Sequence, residues 1–410
     1  MTKHRKISTF MALVCAGAGA ITCAQSTPKL TTLYSFSGGD DGNAPISSVT
    51  IAPGGVLYGT TLYGGTMQSG VAYALQPPAA AGRAWTEQVL YNFNGATGDL
   101  PDGVLLLGGN GVLYGGAGGL TPGDDPSHGL GTINNGALYS LTPPSTANPS
   151  WQYTELIGFG QGYGPGILLN GGGVLYASVL GPNSLISMAP PASPGGSWTA
   201  TALYTFTFST GTAAVFARDS SGVFYGLAYS QSGDEIFSLT PPAAAGGTWT
   251  LTNLGSPDFP ATGLTLSPRG VLYGTTSAGG GSTACPPAVG CGSVFAVVPP
   301  ASAGGVATIK DIYSFNSSDG SLPGGNFVVR GGVLYGTTET GGAFNYGTVY
   351  ALHPPASPGG SWTETVLYSF TNGRDGAIPL ALTVGPNGVL YGVTGGDGRK
   401  THGSVFELRY

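Results

Sequence analysis

Short runs of apolar and aromatic residues, separated by Gly and Pro, recur along the whole chain. The clearest run is Gly55-Val56-Leu57-Tyr58-Gly59-Thr60-Thr61, and related copies follow it. The tyrosines of the copies are Tyr58, Tyr114, Tyr176, Tyr225, Tyr273, Tyr335 and Tyr391, with spacings of 56, 62, 49, 48, 62 and 56 residues. Recurrence at a period of about fifty residues is typical of a β repeat architecture.

Each copy is the second of four strand-like runs. In the first complete repeat the other three runs are Ser47–Ile51, Gly70–Leu75 and Trp85–Phe93. A Pro pair, Pro77-Pro78, follows the third run, and a segment rich in Ala and Gly leads to the tryptophan that opens the fourth. Apolar and polar residues alternate within the runs, and Gly and Pro bound them, which is the pattern of short β-strands.

Four strands in each of seven repeats predict an all-β protein, a seven-bladed β-propeller of four-stranded blades. The chain carries a fourth-type run near its start, Leu30–Phe36, and finishes on a third-type run, Gly403–Leu408. The N-terminal strand can therefore join the last blade and close the ring, which removes the open edge of a linear array. A β-solenoid is the structural alternative, although its rungs are usually shorter than these repeats.

The full repeat resembles a known family. Its pieces are clearest at Gly332–Thr338, Gly347–Pro355 and Trp362–Phe370, followed by Asp375-Gly376 and Pro379. In this order they are similar to the Gloeo_Verruco (GloVer) tandem repeat of secreted and surface-anchored bacterial proteins, over nearly all of residues 30–410. The resemblance implies an extracellular repeat protein, often with a C-terminal anchor, and no established reaction. The sequence ends at Arg409-Tyr410 without a sorting tail, so we do not extend the resemblance to an anchor. A looser similarity links the repeat to kelch propellers.

The N-terminal segment has the pattern of a secretory signal peptide. Lys3, Arg5 and Lys6 form a basic region, an apolar region follows from Ile7, and small residues precede a cleavage point after Ala24. This divides the chain into a signal peptide, residues 1–24, and one propeller domain, residues 25–410. A retained anchor helix is an alternative, although the apolar run is short for a membrane span. A lipoprotein at one of the two N-terminal cysteines is another. We expect no membrane span in the mature chain.

Composition narrows the classes of partner. Only 8% of the 410 residues are charged, while regularly spaced aromatic residues argue against a disordered chain. Without residues 1–24, the chain has ten basic and nineteen acidic residues, a net charge of −9. Nucleic acids and anionic membranes are recognised by clustered Lys and Arg, so we expect neither as a partner.

Cys285 and Cys291 are the two cysteines that remain after the signal segment. They enclose five residues, and in an exported protein this spacing predicts a small disulfide loop. Zinc is not expected, because two further ligands are not nearby in the sequence.

The loops offer candidate binding residues. In a propeller the connections from the fourth strand to the next first strand, and from the second to the third, lie on the same face, and binding residues commonly lie on such loops. The candidates in these loops are Tyr63, Asp124, Asp125, His128, Phe344, Tyr346, Arg399 and His402. Asp124, Asp125 and His128 could form a metal or acid–base cluster, or belong to a solvated loop. Aromatic residues inside strands are expected to pack between blades.

Two arginines stand at the ends of first-type runs. Arg218 and Arg330 are predicted to lie nearest the central channel. There they could bind an anionic sugar such as a uronate, or cap carbonyl groups at the channel mouth.

Three Asp-Gly turns, at Asp41, Asp319 and Asp375, lie in the same loops. Their carboxylates could coordinate Ca²⁺, a hard cation that prefers oxygen ligands. Turn formation is the simpler explanation, because Asp caps its own backbone and Gly adopts positive φ. No other cofactor is expected.

The sequence contains no serine-nucleophile elbow, phosphate loop or dinucleotide fingerprint. We therefore expect a secreted, monomeric binding or scaffolding module whose partner is a polysaccharide or a cell-surface protein. A polysaccharide lyase or hydrolase with its site at the channel mouth is the alternative, although the sequence cannot place the facing acids that glycoside hydrolysis needs. A purely structural surface-layer protein is a third interpretation.

Overall fold

The structure is a computed structural model that describes residues 27–80, 82–94, 100–118, 136–160, 165–179, 183–193, 196–207, 212–229, 233–244, 246–286, 290–298, 307–357, 359–396 and 402–410. The segment predicted as a signal peptide lies outside these residues. The regular structure is β-strand, with short 3-10 turns at Pro53–Gly55, Gly109–Gly111 and Pro386–Gly388. None of the described helices is long and apolar enough to cross a membrane.

The described strands form seven antiparallel sheets, and each sheet is one blade of the propeller. Blade 1 contains β2 (Thr50–Ile51), β3 (Leu57–Thr61), β4 (Val71–Gln76) and β5 (Thr86–Asn92). Blade 2 contains β6 (Leu106–Leu107), β7 (Leu113–Ala117), β8 (Gly136–Thr142) and β9 (Gln152–Gly160). Blade 3 contains β10 (Pro165–Gly171), β11 (Val174–Val179), β12 (Ser184–Ala189) and β13 (Thr199–Thr205). Blade 4 contains β14 (Thr212–Arg218), β15 (Phe224–Tyr229), β16 (Glu235–Thr240) and β17 (Thr250–Gly255).

The remaining blades show two variations on this plan. Blade 5 is regular and contains β18 (Ala261–Leu266), β19 (Leu272–Thr276), β20 (Ser293–Val298) and β21 (Thr308–Ser314). In blade 6 the innermost strand is split into β22 (Ser321–Pro323) and β23 (Val328–Arg330), which both pair with β24 (Val333–Thr340), followed by β25 (Thr348–His353) and β26 (Thr363–Ser369). Blade 7 contains β27 (Pro379–Val384), β28 (Leu390–Thr394) and β29 (Ser404–Arg409), and its outermost strand is β1 (Lys29–Ser35).

The ring closes where the sequence predicts. The N-terminal strand β1 pairs antiparallel with β29, from Lys29 opposite Arg409 to Ser35 opposite Ser404. Leu33 and Phe36 at this strand are buried against Val71 and Leu75 of blade 1. The prediction of a seven-bladed propeller closed by its N-terminal strand is therefore confirmed.

The core lies between blades. In the described part of the chain, buried apolar residues form seven clusters, and each cluster contains residues of two consecutive blades. The cluster of blades 2 and 3, for example, joins Leu138 to Leu175 and Met188. No blade therefore buries its apolar faces alone, which is the usual behaviour of repeat proteins.

The glycine of the repeated Leu-Tyr-Gly segment is explained by a ring on the next strand. Gly336 lies opposite Tyr350, and a Cβ built at Gly336 would stand 2.5 Å from the Tyr350 hydroxyl. The same relation joins a glycine to an aromatic residue in blades 1, 2, 4, 5 and 7: Gly59 to Tyr73, Gly115 to Tyr139, Gly226 to Phe237, Gly274 to Phe295 and Gly392 to Phe406. Blade 3 has Ala177 opposite Ile186. The residue of the second strand is therefore Gly where the residue opposite is aromatic, and Ala where the residue opposite is Ile.

The threonines that follow this glycine join blades and close loops. The Oγ1 atoms of Thr275 and Thr337 donate to the carbonyl groups of Gly324 and Leu380 in the next blade, at 3.0 and 3.3 Å. The following threonine bonds within its own blade, as when Thr338 donates to the Thr340 carbonyl at 3.0 Å. These hydrogen bonds account for the polar end of a strand that is otherwise apolar.

The fourth strands break the predicted alternation. In β1 the register shifts between Thr32 and Tyr34, so Leu33 forms a bulge. An equivalent shift in blade 1 leaves Leu90 of β5 in the bulge. Both leucines are buried, because a bulge turns an extra side chain into the contact between blades.

Candidate functional site

The strand order gives the propeller two faces. We define the upper face by the connections from the fourth strand to the next first strand and from the second strand to the third. The lower face carries the connections from the first strand to the second and from the third to the fourth. Antiparallel neighbours place these two sets of connections at opposite ends of the strands.

The upper-face loop of blade 6 presents two aromatic side chains on a well-held backbone. Phe344 is 56% exposed and Tyr346 is 39% exposed. The Gly341 amide donates to Asn345 Oδ1 at 3.1 Å, and the Gly347 amide donates to the Gly341 carbonyl at 3.1 Å. A fixed loop with exposed aromatic residues can bind a ligand with little ordering cost.

Blade 1 has a loop of the same length, and it exposes Met67, which the sequence analysis did not select. The segment from Thr61 to Gly70 corresponds to that from Thr338 to Gly347, which places Met67 at the position of Phe344. Met67 is 64% exposed, whereas Tyr63 is half-buried and exchanges backbone hydrogen bonds with Asn43. The equal loop lengths were the sequence signal that could have identified Met67.

His402 lies where the ring closes. A cavity of 210 Å³ on this face is lined by His402, Arg374 and Phe36, among others. The imidazole packs on Gly38, where an added Cβ would stand 2.6 Å from Nδ1. The other predicted loop residues, Asp124, Asp125, His128 and Arg399, lie outside the described residues.

The three Asp-Gly turns follow a common hydrogen-bonding scheme. In each, a tyrosine hydroxyl of the preceding strand donates to the aspartate: Tyr34 to Asp41 at 2.9 Å, Tyr313 to Asp319 at 2.6 Å and Tyr368 to Asp375 at 3.1 Å. Backbone amides of Ser37, Asn316 and Thr371 also donate to these carboxylates. The aspartates belong to separate turns, and no cluster of metal-binding side chains occurs among the described residues. Turn capping accounts for these residues, and calcium binding stays a prediction.

Half-buried glutamates lie beside two of these turns. Tyr350 is fully buried, and this burial raises the pKa of its hydroxyl. The charge of Glu364 on the neighbouring strand raises that pKa further. Burial, and next the charge of Asp319, raise the pKa of Glu364 to about 8. Burial and Asp41 likewise raise the pKa of Glu87 to about 7. In three other blades the third strand carries Phe in place of Tyr, and the residue of the outermost strand at the position of Glu364 is apolar. These pairs are Phe237 with Leu251, Phe295 with Ile309 and Phe406 with Leu30.

The raised pKa of Glu364 predicts a stability that falls with pH. Between pH about 4.5 and about 8 the native chain holds a proton that the unfolded chain releases, so the free energy of unfolding decreases as pH rises through this range. The Glu364→Gln variant should lack this pH dependence. At pH 9 its free energy of unfolding should exceed that of the parent by on the order of 1 kcal/mol, after allowance for solvent screening. Thermal melts from pH 4 to 9 measure the difference. Glu155 is exposed, and Glu155→Gln is the control. An equal change of melting temperature with pH in the two variants would contradict the prediction.

The central channel holds a cavity of 990 Å³. Asp102, Arg218 and Asp219 are among its lining residues. Asp219 caps its own turn, because Ser221 and Val223 donate their amides to Oδ1 at 2.9 Å. These hydrogen bonds, with those from the Ser221 and Tyr225 hydroxyls, lower the pKa of Asp219 despite its partial burial. A carboxylate held in this way is poorly suited to general acid catalysis.

The two predicted channel arginines face different surroundings. The Arg218 guanidinium lies 5.1 Å from the ring centroid of Tyr176 and 5.5 Å from that of Phe224, in cation–π contacts. Arg330 packs against Gly388 of blade 7. The structure therefore places both at the lower face and does not bring them together with the loop residues of the upper face.

The structure joins Cys285 and Cys291 in a disulfide, with 5.3 Å between their Cα atoms. Both cysteines are buried in the cluster between blades 5 and 6, with Phe315 and Phe327. The bridge therefore ties the upper-face loop between β19 and β20 to the core.

Solved structures share this fold. The extracellular domain of a protein assigned as a one component system from B. thetaiotaomicron superposes with a TM-score of 0.55 at 11% identity, over 94% of this chain and 42% of the other. A Lactobacillus plantarum protein gives 0.53 at 13% identity, over 83% and 88% of the two chains. A protein of Bacteroides uniformis assigned as a 6-phosphogluconolactonase gives 0.50 at 16%, over 82% and 88%. Such identities show a shared fold alone.

Comparison with curated proteins finds no match. The profile of one family does match, and its description is the Gloeobacter/Verrucomicrobia repeat. The match covers residues 184–406, which is more than half of the chain and includes blades 4 to 6 in full. The chain therefore belongs to the Gloeobacter/Verrucomicrobia repeat family.

Proposed function

We propose that this protein is an extracellular binding module that holds a polysaccharide on the loops of its upper face. The observation that carries the proposal is the pair of equivalent loop tips, Phe344 in blade 6 and Met67 in blade 1, which both expose a large apolar side chain. Exposed apolar side chains on ordered loops are typical of interaction sites. The propeller supplies the rigid frame, and one of the structures with its fold is an extracellular domain.

A sugar ring suits such a surface. One face of a pyranose is apolar C–H, and it can stack on an aromatic ring, while its hydroxyl groups bond to nearby polar groups. Tyr346 adds a phenol hydroxyl beside Phe344, and its carbonyl accepts the Ile378 amide of blade 7 at 3.1 Å. The next blade therefore fixes the position of Tyr346.

The first test separates binding from catalysis. Purified chain from residue 25 is incubated for a day with plant and bacterial polysaccharides, and both the bound fraction and new reducing or unsaturated sugar ends are measured. Binding without new ends supports the module. Release of new ends would replace it with the lyase or hydrolase alternative at the channel, and the absence of both signals would favour a cell-surface protein as partner.

The second test locates the site. The double variant Phe344→Ser and Met67→Ser should weaken binding of the polysaccharide found in the panel by about tenfold or more, because an exposed stacking contact contributes on the order of 1 kcal/mol. Val298→Ser is the matched control, since Val298 is 51% exposed and ends the third strand of blade 5 at the lower face. Equal loss of binding in the control and the double variant would contradict the upper-face assignment.

A further inference from the structure

The lower face is the basic side of an acidic protein. By sequence, its connections contain Asp219 as their one acidic residue, and that carboxylate caps its own turn, as several of the upper-face aspartates do. The basic residues at this face, in connections or at the strand ends beside them, are Lys29, Arg83, Arg218, Arg269, Arg330 and Arg409. Of these, Arg409 forms an ion pair at 3.1 Å with Glu407 of the same strand. The whole chain has a net charge of −6, so this grouping concentrates positive charge against the overall balance.

The upper-face connections have the opposite character. By sequence position they contain Asp40, Asp41, Asp99, Asp102, Asp124, Asp125, Asp234, Asp258, Asp319, Asp375 and Asp397. Their basic residues are Arg374, Arg399 and Lys400. This distribution of charged residues along the chain favours the lower face over the upper face for an anionic ligand.

A cleft of 740 Å³ opens at the lower face between blades 5 and 6. Two of its walls are Tyr273 of blade 5 and Trp362 of blade 6, whose ring centroids are 5.9 Å apart at an interplanar angle of 74°. Pro354 and Arg269 also line it. Arg269 is exposed and forms no ion pair within the described part of the chain. The cleft thus combines aromatic walls with one uncompensated cation.

The corresponding cleft between blades 3 and 4 is a comparison within the same molecule. It has equivalent walls, Tyr176 and Trp249, but its volume is 380 Å³. There the Arg218 guanidinium already lies over the Tyr176 ring. The protein's own side chain fills the position that the cleft of blades 5 and 6 leaves open.

We propose that the cleft between blades 5 and 6 binds a uronic acid unit of an acidic polysaccharide. The pyranose ring lies against Tyr273 and Trp362, and the Arg269 guanidinium holds the carboxylate through paired N–H donors, a geometry that suits arginine better than lysine. The size of the cleft falls within the usual range for sugar-sized ligands. This deepens the proposed function by naming a ligand class, and it uses residues that the upper-face site does not.

The test uses tetragalacturonic acid and its fully methyl-esterified form, measured by titration calorimetry with chain from residue 25. We expect the acid to bind and the ester to bind at least about tenfold more weakly, since it lacks the charge. Arg269→Gln should weaken binding of the acid by about tenfold, and Arg269→Lys by less. Added NaCl should weaken binding of the acid, because the carboxylate and Arg269 meet near the surface.

Arg83→Gln is the matched control, because Arg83 is exposed at the lower face of blade 1, outside the cleft. Equal weakening by Arg83→Gln, or equal affinity for hexaglutamate, would overturn the proposal by showing attraction to charge alone. Unchanged affinity in Arg269→Gln would also overturn it. The double variant Phe344→Ser and Met67→Ser should leave tetragalacturonic acid binding intact, so failure of the upper-face site and failure of this cleft give different results.

Discussion

A chain that begins at residue 37 is expected to lose its cooperative melting transition or to aggregate. Such a chain lacks β1, and with it the ladder to β29 and the buried side chains of Leu33 and Phe36. Full burial of one such side chain contributes about 1.5–3 kcal/mol, so two of them are a large part of the 5–15 kcal/mol typical of a domain. The loss also exposes β29 as an unpaired edge, which is a template for association with other chains.

The experiment compares chains that begin at residues 25 and 37. Thermal melts and size-exclusion chromatography measure stability and association. A synthetic peptide of residues 27–37 added to the shorter chain should restore part of the transition, because the pairing needs no covalent connection. Identical melting and elution of the two chains would show that β1 does not close the ring.

Gly336→Ala is expected to lower the free energy of unfolding by about 1–3 kcal/mol, the usual cost of forcing atoms into a packed core. The added methyl would stand 2.5 Å from the Tyr350 hydroxyl, and Tyr350 is fully buried and cannot move aside. Gly109→Ala is the matched control, because an added Cβ there meets nothing within 4 Å. Urea melts of both variants at one pH measure the difference.

The chain itself suggests a compensating change. Blade 3 carries Ala177 opposite Ile186 at the equivalent positions. The double variant Gly336→Ala and Tyr350→Ile should therefore lose less stability than the sum of its single variants, because the two positions share one space. Additive losses, or a Gly336→Ala variant as stable as Gly109→Ala, would contradict the explanation of the repeated glycine.

The two proposed sites lie on opposite faces of the propeller, and the connections at these two faces differ in character. The connections at the upper face differ in length from blade to blade, and one of them carries the Cys285–Cys291 bridge. The lower connections repeat closely, and equivalent Tyr and Trp residues meet at the junctions of blades 1 and 2, 2 and 3, and 5 and 6. The upper face is therefore the place for contacts particular to one blade, whereas the lower face offers similar clefts that differ by single residues such as Arg218.

The candidate site was only partly predictable from the sequence. Phe344 and Tyr346 could be selected as loop aromatics because they stand between strand signals, and both are exposed. Tyr63 was selected by the same reasoning, yet its exposure is limited by backbone pairing with Asn43, which connects two loops distant in sequence. Met67 was missed because an apolar loop residue carries no chemical signal until the loops of blades 1 and 6 are compared. The proposed Arg269 cleft could not be predicted from the sequence, because its walls come from two blades.

By itself the sequence determined the repeat, the four strands of each blade and the closure of the ring by residues near both ends. These follow from local signals, since strand patterns and Gly and Pro boundaries act over a few residues. Only the tertiary structure decided which glycine faces Tyr350, why the pKa of Glu364 is raised and which arginine lies in an aromatic cleft without an ion-pair partner in the described part of the chain. Those properties arise where consecutive blades pack, and a low-dielectric contact between residues far apart in sequence has no local signature.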